Sequence, residues 1–216
     1  MANGCRIFES ELSVIAYEAN QYSNCETGGD LYGLWTASGE PVIYLAVGPG
    51  PMAIVQNYDY EMDIEYMKKC EAVLQANFGI HYLGDWHSHH NLSLYQPSPG
   101  DQNRIQRLMR INDVYNMAEI IVTHQQEKGS GQKERIDAYS YNGVYLLQNE
   151  VLVLDDLTSP IRSALQSPSA AKVFNLGGGE FPMDRILINT GIIDLDETPS
   201  YGFPSGNNIG DALPGS

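Results

Sequence analysis

The spacing of apolar residues and the capping residues at segment ends predict four α-helices. Gly79 follows the second helix in the position of a C-cap. Ser98 and Pro99 open the third helix as an N-cap and a first helical residue. The predicted helices cover residues 11–22, 59–78, 98–111 and 161–174.

Apolar runs interrupted by Gly, Pro and Asn lie between these helices, which is typical of strands and turns. Residues 37–39 and the pair Asn142–Gly143 are predicted to be hairpin turns. Glycines inside the first strand indicate that another backbone or a ligand comes close to it. The predicted strands cover residues 26–35, 41–47, 81–87, 118–123, 135–141, 143–147 and 185–193.

Because strands and helices interleave, we expect an α/β (α+β mixed) protein with a mixed β-sheet flanked by helices. The pattern weakens after about residue 156. We therefore predict one domain at residues 1–156 and a C-terminal extension of unknown role at residues 157–197. Residues 198–216 are rich in Gly, Pro, Ser and Asn and are predicted to be a flexible tail.

The composition is that of a globular protein, with 43% hydrophobic and 18% charged residues. A formal charge of -15 repels phosphate backbones, so nucleic-acid binding is not expected. We also expect no membrane span, because no apolar stretch approaches the roughly 20 residues that cross a bilayer. Three widely spaced cysteines and the absence of a signal-peptide pattern at the N-terminus predict a soluble, cytoplasmic protein.

Two histidines at the end of a predicted strand are the first candidates for chemistry. His87 and His89 lie two positions apart, so they project from the same side of the strand. A catalytic zinc site takes three protein ligands and leaves the fourth position to water, and Asp101 is the candidate for the third ligand. Glu26 is the candidate general base, and Ser98 is the candidate hydrogen-bond donor to an oxyanion.

The order of these residues resembles the signature of JAB/MPN metalloproteases, the JAMM motif His-x-His-x(7)-Ser-x-x-Asp. Residues 26–33, which begin Glu-Thr-Gly-Gly, resemble the family segment that carries the catalytic glutamate. Residues 48–51 (Gly-Pro-Gly-Pro) and 82–86 (Tyr-Leu-Gly-Asp-Trp) are similar to the compact prokaryotic branch. The resemblance covers about residues 8–154, and the family commonly has Pro where this chain has His90.

The resemblance implies a JAB/MPN-like fold of cytidine-deaminase-like architecture and one catalytic zinc ion. It also implies hydrolysis of the bond that follows the C-terminus of ubiquitin or a ubiquitin-like modifier. By position in the motif, His87, His89 and Asp101 are then metal ligands, Glu26 is the base and acid, and Ser98 assists at the oxyanion. His90 is then expected to compete for the metal or to contact substrate.

Other interpretations of the same residues remain open. Ser98 and Asp101 also match a helix capping box, and Glu26 alone would be an ordinary surface carboxylate. Some members of this fold family have lost the metal and act as scaffold subunits. A zinc amidohydrolase acting on a small molecule is a further alternative. A zinc deaminase is disfavoured, because the chain has neither His-x-Glu nor a downstream Cys-x-x-Cys.

Overall fold

The computed structural model describes residues 4–55, 60–89, 94–127, 131–143, 145–154, 158–165, 174 and 181–188. The predicted mixed α/β class is confirmed. The helices are α1 (Glu9–Gln21), α2 (Ile64–Phe78), α3 (Pro99–Asn112) and α4 (Pro160–Leu165). The strands are β1 (Gly4–Phe8), β2 (Gly28–Trp35), β3 (Pro41–Ala46), β4 (Ile54–Val55), β5 (Tyr60–Glu61), β6 (His81–His89), β7 (Asn116–Glu127), β8 (Gly131–Asn142), β9 (Tyr145–Leu154) and β10 (Ile186–Ile188).

Seven strands form a closed ring, which the sequence patterns did not predict. Neighbours in the ring follow the order β8, β7, β6, β2, β3, β1, β9, and β9 pairs with β8 again to complete it. The pairing is mixed, because β1 runs parallel to both of its neighbours while the hairpins β2–β3, β7–β8 and β8–β9 are antiparallel. Because the ring closes, each of the seven strands pairs with two neighbours along at least part of its length.

The strands curl around α1, which is therefore buried on most of its surface. Leu12, Ile15, Ala16 and Ala19 of α1 have no exposed surface. They form one core cluster with buried residues from β1, β2, β3, β6, β7, β8, β9 and β10. Helix α2 packs over β2 and β3 in a second cluster, and α3 packs over β7 and β8 in a third. No helix in the described part of the chain is long and apolar enough to cross a membrane.

Helix α2 begins later than the spacing of its apolar residues predicts. Asp63 is its N-cap and accepts a hydrogen bond from the Tyr66 backbone N–H at 3.1 Å. The preceding Tyr60–Glu61 forms β5 and pairs with β4, so the predicted start at residue 59 was wrong. The predicted end is confirmed: Gly79 is the C-cap and has a φ of 66°.

The glycines of β2 meet neighbouring backbones at close range, as the sequence predicted. A Cβ built on Gly29 would lie 1.9 Å from the Val47 carbonyl oxygen. One built on Gly33 would lie 2.0 Å from the Val42 carbonyl oxygen. Any larger residue at these positions would force β2 and β3 apart.

The described part of the predicted C-terminal extension packs on the core of the domain. Helix α4 overlaps the start of the predicted helix 161–174 and begins one residue earlier, at Pro160. Residues 166–173 lie outside the described residues, and the predicted last residue, Phe174, is buried but not helical. Strand β10 pairs in parallel with residues 134–136 of β8, and β9 pairs in antiparallel with residues 138–142 of the same strand. The extension boundaries stay a prediction, and the predicted tail at residues 198–216 lies outside the described residues.

Candidate metal centre

Strand β6 ends with the two histidines on one face, as the alternation of side chains predicts. Nε2 of His87 lies 3.0 Å from Nε2 of His89. The residues between and before them face the other way. The Trp86 indole donates to the Val47 carbonyl oxygen at 2.8 Å, and the Ser88 hydroxyl accepts from the Thr27 backbone N–H at 3.1 Å. Both imidazoles are nearly buried, with 3% and 4% of their residue surface exposed.

Asp101 joins the two histidines from the first turn of α3. One of its carboxylate oxygens lies 3.5 Å from Nε2 of His87, and the other lies 3.5 Å from Nε2 of His89. Ligand atoms of a tetrahedral zinc site with bonds of about 2.0–2.1 Å lie about 3.3 Å apart. The donor types and their spacing therefore fit a zinc ion.

The protonation of His89 also fits a cation at this centre. Its Nδ1 lies 2.7 Å from the Leu94 carbonyl oxygen, which can only accept a hydrogen bond. Nδ1 therefore carries a proton, and in the neutral ring the lone pair lies on Nε2 and faces His87 and Asp101. A lone pair directed at the Asp101 carboxylate needs a positive charge between them, which a metal ion or a second ring proton would supply.

Asp101 is held in place by a complete capping box, the alternative that the sequence left open. The Ser98 backbone N–H donates to Asp101 Oδ2 at 2.7 Å, and the Asp101 backbone N–H donates to the Ser98 hydroxyl at 3.2 Å. Burial raises the pKa of Asp101, but the two imidazoles outweigh this effect and hold the pKa well below its ordinary value. The capping function and the predicted ligand function are compatible, because the cap fixes an anionic carboxylate beside the histidines.

A single cavity of about 680 Å³ brings the five predicted site residues together. Its walls include Glu26, Ser98, His87, His89 and Asp101. Glu26 lies two residues before β2, so the predicted start of this strand at residue 26 was wrong. The adjoining Thr27 is fixed to β6, because its carbonyl oxygen accepts from the Ser88 backbone N–H at 2.8 Å. The individual roles of these residues stay predictions, and His90 lies outside the described residues.

A buried charged cluster behind His87 was missed by the sequence analysis. Glu119 of β7 has no exposed surface, and its Oε1 lies 3.6 Å from Nδ1 of His87. Arg104 of α3 donates two hydrogen bonds to the buried Asp85 and one to Glu119 at 3.4 Å. Burial raises the pKa of Glu119 to about 7, against the opposing charge of His87. The available signal was a glutamate in the otherwise apolar strand at residues 118–123.

Comparisons with known proteins find a similarity to a probable metalloprotease. No family model matches the chain. A protein of Sinorhizobium fredii (strain NBRC 101917 / NGR234), "Probable metalloprotease y4qB", is 25% identical over 107 residues, which are 47% of this chain and 63% of that protein. The match thus spans less than two thirds of the relative's length.

Solved structures provide two further comparisons. A protein of Desulfitobacterium hafniense, DSY2949, matches with a TM-score of 0.53 at 16% identity, over 71% of this chain and 94% of that chain, which shows a shared fold. A JAB1/MPN domain protein of Archaeoglobus fulgidus has a TM-score of 0.39 at 17% identity, over 70% of this chain and 98% of that chain. The order and geometry of the motif, together with the metalloprotease relative, support the resemblance of this chain to the JAB/MPN metalloproteases.

Proposed function

We propose that this protein is a zinc-dependent isopeptidase or peptidase that cleaves the bond after the C-terminus of ubiquitin or a ubiquitin-like modifier. One observation carries the proposal: two imidazoles and a carboxylate converge at the spacing of zinc ligands, in a cavity that also contains a glutamate and a serine. The metalloprotease relative supports a hydrolytic reaction. The choice of a ubiquitin-like substrate rests on the resemblance of the motif to the family signature.

Different residues of the chain perform the separate steps of the proposed hydrolysis. A bound zinc ion supplies Lewis acidity, which polarises a carbonyl group and makes a nearby water more acidic. Glu26 accepts the proton of the attacking water and returns it to the leaving amine. The Ser98 hydroxyl accepts a bond from the Asp101 N–H, which leaves its own proton available for the oxyanion of the tetrahedral intermediate.

Glu26 provides the sharpest test of the reaction. We expect Glu26→Gln to lower the rate of cleavage of a ubiquitin-like fusion by about 10²- to 10⁴-fold. Zinc content should stay at one ion per chain, because Glu26 is not a predicted ligand. Glu65→Gln is the control, since Glu65 is an exposed acid of α2 that does not line the cavity, and it should retain activity. Purified protein is analysed for metal and assayed with and without a chelator.

The outcomes separate the competing functions. A chain that binds no zinc would contradict the hydrolase and favour a scaffold subunit. The zinc-loaded wild-type protein could instead leave every ubiquitin-like fusion intact and hydrolyse a small amide. That result would contradict the proposed ubiquitin-like substrate and favour a small-molecule amidohydrolase. Equal rates of cleavage for wild type and Glu26→Gln would contradict the proposed function of Glu26 as the general base.

Exposed apolar residues beside the cavity support an extended substrate tail as the occupant. Ile64 and Leu94 line the cavity and are 54% and 47% exposed, and Ile54 of the short β4–β5 sheet is 51% exposed. An extended peptide can add to such a sheet through its backbone, with alternate side chains in apolar contacts. The tail of the modifier would thus approach the metal centre along β4 and β5.

Substitution of these residues by aspartate tests the path of the tail. Ile54→Asp and Ile64→Asp should raise KM for the fusion and leave kcat and zinc content nearly unchanged. Ile111→Asp is the matched control, because Ile111 is 70% exposed but lies at the other end of α3, about 18 Å along the helix from its first residue. A similar rise in KM for all three variants would contradict the proposed path.

A further inference from the structure

The two nitrogens of the His87 ring have different surroundings. Nε2 faces Asp101 and His89, whereas Nδ1 points into the sheet toward Glu119. Nδ1 is buried and has no hydrogen-bond partner among the described residues. A buried N–H without a partner is costly, so an acceptor close to Nδ1 is expected to be used. The Glu119 Oε1 atom, 3.6 Å away, is slightly beyond hydrogen-bond distance.

The strand register fixes Glu119 in this position. Asp85 of β6 lies opposite Glu119 of the parallel strand β7, and His87 lies opposite Ile121. Glu119 therefore projects from the same face of the sheet as His87, one diagonal step away. The Tyr141 hydroxyl on β8 donates to Glu119 Oε2 at 2.7 Å, and Arg104 lies beside Oε1. These contacts hold the carboxylate with one oxygen directed toward the histidine.

A second metal site in this cluster is disfavoured. Ligand atoms of Asp85, His87 and Glu119 lie within 4.8 Å of one another, which alone would permit a cation. The guanidinium of Arg104 already lies between the two carboxylates and donates to both. The positive charge of Arg104 already compensates the two buried carboxylates. A metal ion at the same place would be repelled by the guanidinium.

We propose that Glu119 is a positioning residue that accepts the Nδ1–H of His87 and thereby directs the Nε2 lone pair toward the metal centre. The inference rests on the proposed function, since it gives Glu119 its role through a metal ligand. Ligating histidines commonly donate their second N–H to a carboxylate or carbonyl, and loss of that partner costs about 10- to 100-fold in metal affinity. His89 uses a carbonyl, that of Leu94, so the two ligands are oriented by different acceptors.

Zinc affinity of the folded chain tests this role without an assay of catalysis. We expect Glu119→Leu to weaken zinc binding by about 10- to 100-fold in competition with a chelating dye. Glu119→Gln keeps an acceptor oxygen and should lose at most about tenfold. Tyr141→Phe removes one of the two contacts that hold Glu119 but keeps the carboxylate, so it should weaken zinc binding less than Glu119→Leu does. Glu134→Gln is the matched control, because Glu134 is equally buried and bonds His124, which is not a predicted ligand.

The tautomer of His87 in the metal-free protein is the second measurement, by ¹⁵N NMR of the imidazole. Wild type and Glu119→Gln should show the proton on Nδ1, and Glu119→Leu should shift it toward Nε2. The proposal is overturned if Glu119→Leu folds, keeps the wild-type tautomer and binds zinc within about threefold. If Glu119→Leu does not fold, a wild-type His87 with its proton on Nε2 overturns it equally. If wild type binds no zinc but shows the Glu119-dependent tautomer, the proposed function fails while the positioning contact stands.

Discussion

Replacement of Arg162 by methionine should destabilise the whole domain, although Arg162 lies in the segment that the sequence assigns to an extension. Arg162 of α4 donates from Nε and Nη2 to the two oxygens of Glu11 in α1, at 2.8 and 2.6 Å. Nη2 also donates to the Ala46 carbonyl oxygen at 2.9 Å. Glu11 is fully buried, and the Arg162 side chain is only 9% exposed. The ion pair therefore connects α4, α1 and β3 in a region without solvent.

The size of the effect follows from what the substitution leaves behind. Methionine fills a similar volume, so little packing is lost. Among the residues that the structure describes, the Glu11 carboxylate then keeps only the Ala46 N–H at 2.8 Å and the Ser10 hydroxyl at 2.7 Å. Removal of one partner from a buried ion pair typically costs about 3–5 kcal/mol. Domains of this kind have a free energy of unfolding of about 5–15 kcal/mol. Arg162→Met should therefore remove about a fifth or more of the free energy of unfolding.

Urea unfolding, followed by tryptophan fluorescence of the metal-free protein, measures this loss as a lower midpoint at unchanged slope. Lys68→Met is the matched control, because Lys68 and its partner Glu65 are 67% and 74% exposed and should contribute at most about 1 kcal/mol. Adding Glu11→Gln to Arg162→Met removes the stranded charge and should restore part of the stability. Equal midpoints for Arg162→Met and Lys68→Met would refute the reasoning.

Two further predictions concern the sheet. Gly84 has a φ of 148°, and a Cβ there would lie 1.8 Å from the Ala118 carbonyl oxygen. Gly84→Ala should therefore lower the free energy of unfolding, measured with urea, by more than about 3 kcal/mol. Gly39→Ala, at a φ of 82° in open space, should cost about 1–2 kcal/mol, and equal costs would argue against the close approach. Burial raises the pKa of Asp30 from 3.8 to about 7, so the native carboxyl keeps a proton that the unfolded chain releases. The free energy of unfolding therefore falls by about 4 kcal/mol as the pH rises from the lower of these values to the higher. Asp30→Asn should abolish this fall, and parallel stability–pH curves for variant and wild type would count against it.

The parts of the site that depend on neighbouring residues could be predicted from the sequence. Alternation along one strand was enough to place His87 and His89 on the same face. The Ser98-x-x-Asp101 spacing was enough to predict a capping box, which then fixes the third candidate ligand. These features need only strand and helix geometry over a few residues, and such local rules do not depend on the rest of the fold.

The closure of the ring could not be predicted, because it depends on pairings between distant segments. Strand β1 has only five residues and too little pattern to be recognised, yet it joins β3 to β9. Its parallel pairing with both neighbours gives no local turn signal, in contrast to the Asn142–Gly143 hairpin that was predicted. Without β1, the same strands would be expected to form an open sheet.

Buried charges show the same limit at the level of single residues. Glu11 opens a predicted helix, Glu134 lies between Lys133 and Arg135, and Glu119 interrupts an apolar strand, yet all three are fully buried. A sequence can mark such a glutamate as anomalous, because an unpaired charge in a core is too costly to persist. It cannot name the partner, since the partners Arg162, Tyr141 and His124 come from other elements of the fold. An acid inside an apolar strand should therefore be taken as evidence of a long-range partner, and Glu119 is the case in which the acid itself lies beside a candidate metal ligand, His87.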